Sequence, residues 1–146
     1  MAPTVLDASA LIAALANEPA RPQVEAILRA DTRPVISAVN LAETIEWLVR
    51  LGEQPPDRVR ERVNWLIAGG LQVEAVWTPL ARSAGALRAR HYHRTDRPIS
   101  LADCFCLATA ISLRANLATT DAHLAGLCGE VGVEVILLPD SAGRRP

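Results

Sequence analysis

The sequence predicts an α/β fold in which a mainly parallel sheet carries helices on both faces. Two observations lead there. Short β-branched or apolar runs alternate with longer helix-periodic stretches from end to end, the pattern of strands joined by helical crossovers. No internal repeat or linker divides the 146 residues, about one domain's worth and enough for a single core.

Each element has a local reason. Thr4-Val5-Leu6 reads as a buried strand ending at Asp7, and residues 8–15 are an Ala/Leu-rich helix broken by Asn17-Glu18-Pro19. Residues 21–30 form a second helix with Val24, Ile27 and Leu28 on one face, followed by a strand at Pro34-Val35-Ile36. Ser37 stands where an N-cap belongs, before a helix over 38–51 that stops at Gly52. Pro55 and Pro56 open a helix to about Ala68, closed by Gly69-Gly70. Residues 71–77 alternate as a strand, and Thr78-Pro79 suggest an N-cap and first-turn pair for a helix to about His91. Ser100 caps a helix over 101–113 that is apolar on nearly all sides except at Asp103. A short strand at Leu117-Ala118-Thr119, a helix over 121–127 and a strand over 133–138 complete the pattern. The tail, 140–146, is polar and expected to fray, with Arg144 and Arg145 in it.

Composition narrows the function. Half the residues are hydrophobic, yet no apolar run reaches the length of a membrane span. No basic segment leads an apolar one at the N-terminus, so a soluble, cytoplasmic protein without membrane partners is expected. Cys104, Cys106 and Cys128 are odd in number and lack a C-x-x-C pair, which predicts buried thiols rather than disulfides or zinc. The net charge of −1 carries no global polybasic signal. All fifteen cationic side chains are arginine, which excludes Schiff-base lysines and P-loop nucleotide hydrolysis.

Ligands in open α/β sheets bind beyond the carboxyl ends of the strands. Asp7 and Asp121 fall there, just past two strands, while Glu43 and Asp103 interrupt apolar helical runs. Taken singly, Asp103 complements a helix dipole and Asp121 serves as an N-cap. Together they demand a counter-charge, because two carboxylates about 4 Å apart repel by roughly 4 kcal/mol at an effective dielectric near 20. The motifs hold no arginine for that role. An all-oxygen site suits Mg²⁺ or Mn²⁺, and such ions serve phosphodiester and phosphoryl chemistry.

Four segments then resemble, in order and spacing, the motifs of PIN-domain nucleases: V-L-D-A-S-A-L-I-A at 5–13, S-A-V-N-L-A-E-T at 37–44, S-L-A-D-C-F-C-L-A at 100–108 and L-A-T-T-D-A-H-L at 117–124. Length makes the chain most similar to the VapC-like toxins of bacterial type II toxin–antitoxin modules. The resemblance implies a three-layer α/β/α fold, with the nuclease domain over 1–139 and a flexible tail over 140–146. It implies Mg²⁺- or Mn²⁺-dependent endoribonuclease activity on structured RNA, often transfer RNA, through a water the metal activates. Asp7, Glu43, Asp103 and Asp121 would be the catalytic, metal-carrying acids, with Ser9 and Thr119 or Thr120 lining the site. It further implies a homodimer or hetero-oligomer and a small cognate antitoxin that silences the enzyme.

Residues 88–97 are the one basic concentration. Arg88, Arg90, Arg94 and Arg97 there could grip RNA phosphates while Tyr92 stacks on a base, or they could form a solvated helix end. A metal site at His91, His93 and Asp96 is disfavoured, because two histidines two apart diverge on a helix. Trp47 and Trp65 are expected in the core, at positions that could pair. A haloacid-dehalogenase-type phosphatase would need a second Asp at position 9 and a lysine, and a receiver module would also need the lysine; both fail. The rival that survives is a PIN-like RNA-processing nuclease or a non-catalytic RNA-binding module outside a toxin–antitoxin pair.

Overall fold

The computed structural model describes residues 2–30 and 32–145. Twelve elements follow in the order β1 (Thr4–Leu6), α1 (Ala8–Leu15), α2 (Arg21–Arg29), β2 (Pro34–Ser37), α3 (Ala38–Arg50), α4 (Pro56–Ala68), β3 (Gln72–Glu74), α5 (Thr78–His91), α6 (Leu101–Leu113), β4 (Asn116–Thr119), α7 (Ala122–Val131) and β5 (Val135–Leu137). The strands form one parallel sheet in the order β3-β2-β1-β4-β5. The chain winds outward from β1 to β3 and then returns to the other side of β1. The β1/β4 boundary is therefore the topological switch point, where the connections leave to opposite faces of the sheet and where open α/β sheets bind ligands.

Alternation along the strands divides the core in two. Val5, Val35 and Leu117 pack on one face with Leu80, Ala84, Leu107, Leu124 and Leu127 from α5, α6 and α7. Leu6, Ile36 and Ala118 pack on the other with Leu11, Val24, Leu48, Val59 and Val63 from α1 to α4. This is the three-layer α/β/α arrangement, and a central strand buried on both faces explains why β1 is wholly apolar apart from Thr4. Truncating a fully buried leucine such as Leu107 or Leu117 costs about 2–5 kcal/mol. Cys104, Cys106 and Cys128 are free and buried, as their apolar surroundings predicted. Among the described residues no helix is long and apolar enough to cross a membrane.

Some boundaries differ from the sequence expectation. The strand expected over 71–77 is only Gln72–Glu74, because β3 is an edge strand whose Val73 is open to solvent. The last strand is likewise shorter, and α7 runs on to Val131, where Gly132 adopts φ +79° and closes it. Helix α5 starts at Thr78 with Trp77 as its cap and no side-chain cap bond, so Thr78 is not the N-cap.

Trp65 corrects a larger expectation. It is 82% exposed, whereas Trp47 is half-buried against the α1–α4 core. The buried positions of α4 are Val59 and Val63, and a residue two beyond Val63 lies about 200° around the helix, facing away. After β5, Asp140 accepts from the amides of Ala142 and Arg144 and pairs with the Arg144 guanidinium, making a local turn; of the tail, Pro146 lies outside the described residues.

Candidate active site

The chain leaves β1 at Asp7, which becomes the N-cap of α1 and is 3% exposed. Its Oδ1 accepts the Ala8 amide at 2.9 Å. Its Oδ2 accepts two hydroxyls, Ser9 Oγ at 2.7 Å and Thr119 Oγ1 at 2.9 Å. The same hydroxyls accept backbone amides from the β4–α7 junction, Ser9 Oγ from Thr120 at 3.1 Å and Thr119 Oγ1 from Asp121 at 3.0 Å. The ends of β1 and β4 are thus stitched together through Asp7 across the switch point. Thr120 contributes its backbone N–H to this network.

Asp121 caps α7, with Oδ1 accepting the amides of His123 at 2.7 Å and Leu124 at 3.2 Å. Asp103 stands in the first turn of α6 in a reciprocal capping box: Ser100 Oγ accepts the Asp103 amide at 3.0 Å and Asp103 Oδ2 accepts the Ser100 amide at 2.7 Å. Asp121 is the N-cap and Asp103 the first-turn acid that the sequence suggested, and each uses one carboxylate oxygen in these bonds. Glu43 comes from α3, and its Oε2 is buried with no hydrogen-bond partner.

Electrostatics shows that the four acids share one region. Burial raises the Asp7 carboxyl above its ordinary range, its hydroxyl and amide donors offset part of this, and Asp121 pushes it further up. Glu43 is raised to about 7, first by burial and then by the negative charges of Asp7 and Asp103, against an opposing influence of the Asn40 side chain. Asp103 is raised to about 6, first by burial, with Asp7 and Asp121 adding to it against the Ser100 hydrogen bonds. No arginine figures among the largest influences on these three carboxyls. Such a cluster cannot stay fully ionised without a cation.

The donor set fits a hard divalent ion: carboxylate oxygens only, one of them orphaned and buried. Among the described residues no three Asp, Glu, His or Cys side chains are gathered closely enough to form a complete direct ligand set. Mg²⁺ does not require one, since it keeps several waters and takes one or two carboxylates directly. His91, His93 and Asp96 form no metal-binding group either; His93 Nδ1 accepts the amides of Thr95 and Asp96 in an exposed turn.

The basic segment divides. Arg97 donates to Glu130 of α7 at 3.0 Å, and Arg88 donates to the Ile99 carbonyl at 3.2 Å while stacking 4.3 Å over the Tyr92 ring. Those two arginines and one face of Tyr92 are therefore engaged in holding the α5–α6 loop. Arg90 and Arg94 are exposed. Sequence reasoning also passed over Asn40, which is fully buried in α3 one turn before Glu43 and donates from Nδ2 to the Ala102 carbonyl of α6 at 3.1 Å. A polar residue inside the run V-N-L-A-E was the available signal.

The family model described as "PIN domain" matches residues 4–130. Among solved structures, the chain is similar to the DNA-bound VapBC of Salmonella typhimurium (TM-score 0.69, 22% identity, 93% of this chain and 98% of that one). It is similar to VapC20 of Mycobacterium tuberculosis, described as a sarcin-ricin loop cleaving toxin (TM-score 0.64, 19% identity, 84% and 93%). FitAcB of Neisseria gonorrhoeae is a further likeness (TM-score 0.60, 25% identity, 91% and 96%). No curated protein sequence matches the chain.

Proposed function

The chain belongs to the PIN-domain family, and from that premise we propose that it is a Mg²⁺- or Mn²⁺-dependent endoribonuclease, the VapC-like toxin of a type II toxin–antitoxin pair. The observation that carries the reading is the acidic cluster beside the β1/β4 switch point, whose carboxyls are raised by burial and by one another and which leaves Glu43 Oε2 without a hydrogen-bond partner. Asp7, Glu43, Asp103 and Asp121 would hold the ion. When bound, a divalent cation activates water and neutralises charge developing on the phosphoryl group.

The chain's own residues prepare that site. Ser9 and Thr119 direct their hydroxyl protons to Asp7 Oδ2 and hold its carboxylate in one orientation, while Oδ1 keeps a lone pair open beside the Ala8 amide. Asp103 and Asp121 are fixed by the helix starts they cap. Glu43 must lose its proton before it can bind a cation, so its raised pKa couples ion binding to proton release. The substrate is structured RNA, transfer RNA foremost, held through phosphate contacts from the exposed Arg90 and Arg94.

Several of the similar structures are toxin–antitoxin complexes, which supports a small antitoxin as partner, a hetero-oligomeric or dimeric assembly and a cytoplasmic setting. Cavities of about 430 and 460 Å³ flank the exposed Trp65 and share Leu66, giving the antitoxin an apolar face with an aromatic anchor. The nuclease domain is taken to span 1–139. The testing experiment incubates purified protein with transfer RNA in Mg²⁺. Cleavage that disappears in Asp7→Asn protein of unchanged circular dichroism supports the reading, and cleavage retained by that variant defeats it.

A further inference from the structure

Asn40 is 0% exposed and lies in the first turn of α3. Burying a carboxamide without partners costs several kcal/mol, so its bonds identify what holds it there. Its Oδ1 accepts the Ser37 hydroxyl, and its backbone amide donates to Ser37 Oγ at 3.1 Å. Its Nδ2 crosses to the other helix layer and donates to the Ala102 carbonyl at 3.1 Å. The orientation of the amide follows from chemistry: flipped, its oxygen would face the Ala102 carbonyl oxygen, acceptor against acceptor.

This bond ties two acids together at one remove. Glu43 follows Asn40 by three residues on the neighbouring position of the same helix face. Asp103 is the residue after Ala102, and α3 packs directly on α6. Asn40 is thus the side chain that bridges α3 to the first turn of α6 at the level of the site. A carboxamide serves both ends, accepting from the Ser37 hydroxyl and donating to the Ala102 carbonyl. A carboxylate lacks the donor, and leucine, close in volume, lacks both.

We propose that Asn40 is a positioning residue whose carboxamide sets the gap across which Glu43 and Asp103 meet a shared divalent cation. It touches neither substrate nor ion, and acts by fixing α6 against α3. The inference rests on the metal-site reading for its consequence, but the spacing itself does not depend on a metal.

The test uses the full chain with Asn40→Leu, and Asn40→Thr as a milder variant that carries the same comparison if the leucine protein does not fold. Thr44→Val is the control: Thr44 is buried on the same helix and donates only to the Asn40 carbonyl at 2.8 Å, within α3. Mn²⁺ binding to the apo protein is followed by electron paramagnetic resonance, and apo crystal structures are compared. Asn40→Leu is expected to weaken Mn²⁺ binding about tenfold and to widen the Glu43–Asp103 separation. Thr44→Val should lower the melting temperature with Mn²⁺ affinity unchanged. An unchanged carboxylate separation in folded Asn40→Leu overturns the proposal, as does Mn²⁺ affinity within twofold of the parent. If the parent itself binds no Mn²⁺, the metal reading falls, and the crystallographic separation alone decides the role of Asn40.

Discussion

Replacing Asp103 by Asn should make the metal-free protein more stable while removing its activity. Burial, together with the charges of Asp7 and Asp121, raises the Asp103 carboxyl from 3.8 to about 6. A carboxyl whose folded pKa lies above its unfolded value holds its proton more tightly when folded. The stability it contributes is present below about pH 4 and lost as pH rises through about 6. Two units correspond to about 3 kcal/mol withheld from the fold at pH 8. Asparagine removes that charge and keeps an acceptor for the Ser100 amide, now 2.7 Å from Asp103 Oδ2. The bond of the carboxylate to that amide already lowers the raised value, so the gain is about 3 kcal/mol, or about 6–12 °C in melting temperature for a chain of this size. Thermal and urea unfolding in EDTA should show this gain at pH 8 and almost none at pH 3. Equal destabilisation at both pH values would refute the reasoning and reduce Asp103 to a helix cap.

Other perturbations separate the parts of the account. Cation affinity should fall as pH drops through about 7, where Glu43 takes up its proton, by about tenfold between pH 8 and pH 6; calorimetric titration with Mn²⁺ reads this, and a flat profile would contradict it. Arg90→Ala with Arg94→Ala should lower the slope of log affinity for RNA against log salt by about 1 to 2. Arg97→Ala should leave that slope unchanged, because its guanidinium is committed to Glu130. Trp65→Ala, at an 82% exposed position, should change stability by less than about 0.5 kcal/mol. Its antitoxin affinity should fall about thirtyfold, the loss of one interface anchor, while an unchanged affinity would place the partner elsewhere.

The sequence made β1, α1 and the Ser100 cap legible because each depends on neighbours in the chain: an apolar run, a helix former, a serine three residues before an acid. Glu43 and Asp103 stood out as charges inside apolar helical stretches, and Asp7 and Asp121 by their place just past a strand. The elements that escaped depend on residues far apart. Arg97 reads as a surface cation until Glu130, thirty-three residues on, is found beside it. Trp65 reads as core because of its size, and only the Val59–Val63 stripe of α4 shows that it faces outward. Asn40 reads as one polar residue in a helix, and its partner at Ala102 lies sixty-two residues away. The strand at Gln72–Glu74 is shorter than its alternation because an edge strand has pairing on one side only.

The measurement closest to the central claim is cleavage of transfer RNA by the purified chain under control of the divalent ion. Cleavage in Mg²⁺ should vanish in excess EDTA, return when Mn²⁺ exceeds the chelator, and be absent from the Asp7→Asn protein throughout. Full cleavage in EDTA would contradict the claim that the acids at the β1/β4 switch point work through a metal ion.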